Sequence, residues 1–192
     1  MSQNPLSPSD AFQSSDNELR LFRLKNQFNS EIREKFELDF TKVDISQLSE
    51  FYKPPIMEER EQVFAAFLSL NKYLIENLQE QSLREILLRS GLTESDLSRE
   101  GRKLGSLKLF TLFIDKVLLK NEVDKMIAPL FVLNDLRQLH GHLSDSSFIK
   151  RYNSCKQRLG LEDSASDLEV FKAMIKSLIE FYENIIDNKD ED

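Results

Sequence analysis

Apolar side chains in this chain return every three or four residues, and no stretch alternates apolar with polar as a half-buried strand does. Leu21, Leu24, Phe28, Ile32 and Phe36 make one such face, with Arg20, Arg23, Lys25, Arg33 and Glu34 placed elsewhere on the same helix. Val63, Phe64, Phe67, Leu68, Ile75 and Leu78 make a second. Leu104 through Leu118 is apolar on most sides, which predicts a helix central to the fold. Leu168, Phe171, Met174, Ile175, Leu178, Ile179, Tyr182 and Ile185 form the inward side of a last helix. A chain that repeats this period over most of its length, with only five Gly and five Pro, has one economical solution. It is an all-α fold, a bundle of about six helices joined by short loops.

Turn and cap residues place the boundaries. Residues 1–17 are rich in Ser, Asn, Gln and Pro and bury too little to offset ordering, which predicts a disordered N-terminal arm. A single helical domain spans 18–187. Residues 18–55 supply its first helix and a connection, and 56–187 its core. An acidic tail follows at 188–192. In the connection, Val43, Ile45, Leu48 and Phe51 are expected to dock on the core, and Lys53-Pro54-Pro55 closes it before helix resumes near Ile56. Gly91 and Gly160 are read as helix stops. Thr93-Glu94-Ser95-Asp96 offers a capping pattern for a following helix, as does Ser144-Asp145-Ser146. Helix restarts at about Val123, and Pro129 either lies in the first turn of a later helix or kinks a longer one. Ser164 or Ser166 begins the last helix.

Several chemistries are set aside at this level. The net charge of −7 argues against a surface that is one nucleic-acid footprint, though not against a local basic cleft. One cysteine, Cys155, excludes an intrachain disulfide and a cysteine-based zinc site; it reads as a small, partly buried helix residue. No phosphate-cradling glycine loop and no H-E-x-x-H is present. No cofactor and no metal is expected. The start M-S-Q-N-P-L-S-P lacks the pattern of a secretion signal, and no apolar run approaches the roughly 20 residues of a membrane span. A cytoplasmic, membrane-free setting is expected.

Polar chemistry concentrates in Pro129–Leu143, P-L-F-V-L-N-D-L-R-Q-L-H-G-H-L, which holds both histidines of the chain, His140 and His142, with Asn134 and Arg137. Histidines two apart on a helix point about 200° apart, so they converge on a metal only where the helix breaks. Without a metal, a histidine moves protons near neutral pH, and an arginine matches a phosphate or phosphorane with its planar fork. Together they suit cleavage of RNA through its own 2′-hydroxyl, with a second copy of the chain supplying the second proton carrier. On an unbroken helix Arg137 adjoins His140 and Asn134, whereas Arg137 and His142 diverge by about 140°. The same residues also fit a polar surface or a buried hydrogen-bond network without catalysis. Downstream, Lys150, Arg151, Lys156 and Arg158 make a basic helix suited to phosphates, or a solvated helix face.

Arg137, four residues, then His142, late in an all-helical domain, resembles the HEPN superfamily, whose ribonucleases carry an arginine followed after four to six residues by a histidine. The wider run L-N-D-L-R-Q-L-H-G-H-L is similar in texture, and the match covers Ile56 to Ile186. Gln138 departs from the small polar residue that members often place after the arginine. The resemblance implies a homodimer, metal-independent RNA cleavage in a cleft between two motifs, and service as a toxin or in antiphage defence, with a protein partner or antitoxin. It makes Arg137 and His142 the catalytic pair, Asn134 and His140 their support. The alternative is a non-catalytic helical interaction module, or an inactive HEPN-like subunit of a defence or regulatory complex.

Overall fold

The computed structural model describes residues 8–43, 52–55, 59–142 and 147–186, with backbone alone for 8–15 and 142. Seven α-helices and one small hairpin account for the described residues. They are α1 (Pro8–Phe36), α2 (Arg60–Asn71), α3 (Glu80–Arg89), the strands β1 (Ser98–Arg99) and β2 (Arg102–Lys103), α4 (Ser106–Lys116), α5 (Val123–Leu139), α6 (Phe148–Arg158) and α7 (Asp167–Ile186). A π-helical turn, Lys72–Glu76, continues α2, and a 3₁₀ turn, His140–His142, continues α5. The fold is an all-α bundle around one continuous core.

The inward stripe of α7 is buried at every predicted position, and α1 packs chiefly along it. A capping box starts α7: the Glu169 amide donates to Ser166 Oγ at 3.2 Å, and the Ser166 amide donates to Glu169 Oε2 at 2.6 Å. Asp167, in the first turn, then ties three helices, accepting from Tyr152 of α6 and Arg60 of α2, each at 2.9 Å. The central helix is α5 rather than α4. It packs on α2, α4, α6 and α7, and it buries Ile127, Leu130, Val132, Leu133, Leu136 and Leu139. Leu104, Leu107, Leu112, Val117 and Leu118, read as central, are only partly buried at the margin of the core. Pro129 lies inside α5, which begins at Val123, so no separate later helix starts there.

Other differences are local. α1 begins at Pro8, so residues 8–17 of the arm expected to be disordered are helical, while residues 1–7 lie outside the described residues. Thr93–Asp96 caps no helix. Asp96 accepts from the Thr93 amide at 2.8 Å and hydroxyl at 2.7 Å, closing a turn that leads into the hairpin. At the hairpin tip Glu100 and Gly101 both take positive φ, 53° and 73°, as a two-residue loop whose twist matches its strands requires. The short strands S-R and R-K show no alternation, so periodicity gave no sign of them. Among the residues expected to dock the connection, Val43 is 42% exposed, and Ile45, Leu48 and Phe51 lie outside the described residues. Phe40 takes the docking role, packed against Phe28, Phe110 and Phe113. The capping cluster Ser144–Ser146, residues 44–51 of the connection and the tail also lie outside the described residues.

Candidate functional site

Leu136 and Leu139 turn α5 inward, leaving Arg137 and Gln138 on its outer side. α5 stops at Leu139, two residues short of Gly141, and the backbone tightens into the His140–His142 turn. Gly141 lies inside that turn without a positive φ. His140 and Asn134 are half-buried, and for His142 the position of the backbone alone is described.

Arg137 is not isolated. Its Nη2 lies 2.9 Å from Glu76 Oε1, with side chains 40% and 43% exposed. Glu76 is the last residue of the π-helical turn, a geometry that inserts one extra residue and re-aims the side chains after it. Sequence reasoning missed Glu76. Its approach to Arg137 depends on how α2 and α5 pack, and no local spacing announces it.

The basic helix α6 divides by environment. Lys150 and Arg151 are exposed in its first turn. Arg151 Nη2 reaches Gln138 Oε1 at 3.5 Å, a long contact, and Arg158 Nη1 lies 2.5 Å from Asp135 Oδ2. Lys156 is buried, only 6% exposed, its Nζ over the Tyr152 ring and donating to the Asp163 carbonyl at 2.7 Å. Its place at the junction of α6 and the next loop removes it from the surface expected to meet phosphate. Cys155 is also buried, and burial pushes its thiol up to about 11, which keeps it protonated at neutral pH.

An open groove of about 440 Å³ runs between α5 and α6, with Asp135 and Leu139 on one side and Lys150, Arg151, Cys155 and Arg158 on the other. Arg137 is two residues from both Asp135 and Leu139, close to 200° and 160° round the helix. It faces Glu76 while they face α6. The structure therefore brings Arg137 to Glu76 and Asp135 to Arg158, and it puts the exposed basic residues of α6 on the other flank of α5 from Arg137.

No family model, curated protein or solved structure matches this chain. Among the described residues, no group of three His, Cys, Asp or Glu side chains could hold a metal ion, and no helix is long and apolar enough to cross a membrane. The arrangement at the end of α5 offers a fixed cation, Arg137, beside a carboxylate, Glu76, followed by the turn in which His140 is half-buried. That set can orient a phosphate and move protons without a metal.

Proposed function

We propose that the chain is a HEPN-like, metal-independent endoribonuclease, acting in the cytoplasm as a homodimer, and that it serves as a toxin or an antiphage-defence component. One observation carries this reading: Arg137 stands near the end of α5, paired with Glu76, just before the turn whose sequence holds both histidines. His140 keeps helical φ and ψ and Gly141 has no positive φ, so the backbone winds on and positions 137 and 142 of one chain stay on different sides; the reading pairs them through a second copy of the chain. In this reading Arg137 stabilises charge at phosphorus, with Glu76 holding its guanidinium, and His142 moves the proton of the 2′-hydroxyl or the leaving 5′-oxygen. Asn134 and His140 support them.

The test is cleavage of total RNA in EDTA by the purified chain, by Arg137→Ala and by His142→Ala. Loss of at least about 100-fold in either variant is expected, the range spanned by removing a general acid–base. Wild-type protein that leaves RNA intact, alone and with a candidate partner, sinks the reading. Loss in His140→Ala alone moves the working histidine to position 140.

A second reading has its own support. The Arg137–Glu76 ion pair neutralises the arginine in the free chain, as in a structural contact. With Gln138 beside it and a net charge of −7, this fits a non-catalytic helical module of a defence or regulatory complex. Glu76→Gln separates the two. In the catalytic reading, loss of the charge that orients Arg137 lowers cleavage, whereas in the structural reading the wild type does not cleave and the variant shows only a change in stability.

A further inference from the structure

Among the described residues, the α5–α6 groove gathers three cations, Lys150, Arg151 and Arg158, against one carboxylate, Asp135, in a chain whose net charge is −7. Lys150, Ser154 and Arg158 follow one another at intervals of four, so they form a single stripe of α6 facing α5. The engagement of these cations differs. Asp135 holds Arg158 at 2.5 Å, which fixes its guanidinium, while among the described residues Arg151 makes the long 3.5 Å contact to Gln138 and yields it at little cost. Leu139 and Cys155 are buried beneath, and the protonated thiol puts no negative charge there. Among the described residues no aromatic ring lines the groove, so they offer nothing on which a base would stack.

We infer that this groove holds the phosphodiester backbone of single-stranded RNA without regard to sequence, on the flank of α5 opposite Arg137. The choice of RNA as ligand rests on the ribonuclease reading; the groove itself does not. Lys150 and Arg151 make the phosphate contacts, and the Arg158–Asp135 pair borders them. A strand lying here reaches Arg137 by crossing the outer face of α5 past the exposed Gln138, a path of about 10–12 Å, the width of a helix. Holding and cutting are then separate tasks of separate faces of α5.

Binding is measured by fluorescence anisotropy with a labelled oligouridylate over a range of salt, in an Arg137→Ala background so that bound RNA is not cut. Replacing Lys150 and Arg151 together by Gln should weaken binding about tenfold or more at low salt and reduce the salt slope by about 1.4, from ~0.7 per phosphate contact on a single strand. Lys172→Gln with Lys176→Gln on α7, the control for net charge, should leave the slope unchanged. Both pairs lie on the surface, and circular dichroism checks that each variant is folded. An unchanged slope in the Lys150/Arg151 variant, or no binding by the parent at low salt, overturns the inference. Equal binding of duplex DNA reduces the groove to a general polyanion surface and also overturns it. A polyglutamate peptide bound in preference to RNA assigns the groove to an acidic protein and does the same. If binding falls as expected while wild-type protein never cuts RNA, the groove assignment stands and the ribonuclease reading falls.

Discussion

Lys25 sets burial against charge more sharply than any other described residue. It is fully buried, and its ammonium group sits 5.4–5.9 Å from the ring centroids of Phe28, Phe40, Phe110 and Tyr182. Neither Lys25 Nζ nor the Tyr182 hydroxyl has a hydrogen-bond partner among the described residues. The rings favour the charged form, but loss of water outweighs them, and burial lowers the amine to about 7. The unfolded chain binds this proton up to about 10.5 and the folded chain only below about 7, so stability rises with pH between the two. The penalty is complete below about 7 and is on the order of 5 kcal/mol. Lys25→Met should therefore raise the urea midpoint at pH 7 and flatten its rise between pH 7 and 9. Above that range the raised Cys155 thiol acts in the opposite direction, because the folded state then holds the extra proton. Equal pH slopes for wild type and variant would refute the account. The position was legible in spacing: Lys25 lies four after Leu21 and three before Phe28, inside the apolar stripe, yet its charge assigned it to the outer face. Arg137 and Lys156 show the same limit, since Glu76 and Asp163 decide what those cations do.

Between elements, Asn77 does what no cap or stripe announces. Just past the π-helical turn, its side chain accepts from the Val43 amide at 2.9 Å and donates to the Val43 carbonyl at 2.8 Å, while its own carbonyl accepts from the Lys42 amide at 2.8 Å. With the Thr41–Leu78 bridge, this pins the chain after α1 to the end of α2 and so seats Phe40 in the core. Asn77→Ala removes two hydrogen bonds and should cost about 1–3 kcal/mol, read from the denaturant midpoint; Asn77→Asp, which keeps the acceptor, should fall between. A midpoint unchanged in Asn77→Ala would refute the clamp. Arg84 serves the hairpin in the same way, donating to the Leu97 carbonyl at 3.2 Å and the Leu104 carbonyl at 2.6 Å. Helix stops were readable because they are local: Gly91 and Gly160 both take positive φ, 95° and 73°. Asn77 was not readable because its partner lies 34 residues away.

For the whole molecule, the proposed chemistry makes a demand that one chain does not meet, since two proton transfers need two acid–base groups. Sedimentation equilibrium should find a dimer at the concentrations where RNA is cut. A chain that stays monomeric there while cleaving RNA rules out the shared cleft, and the second imidazole would then have to be His140 of the same chain. Helix periods, glycine stops and the capping box at Ser166 act over a few residues, so the all-α architecture and most helix ends were written in the order of the amino acids. Packing settled the rest: α5 rather than α4 at the centre, Lys25 and Lys156 inside, Glu76 on Arg137, and Arg137 on the flank away from Lys150 and Arg151. Burial and ion pairing belong to groups brought together from distant parts of the chain, and local spacing does not encode which of those groups will meet.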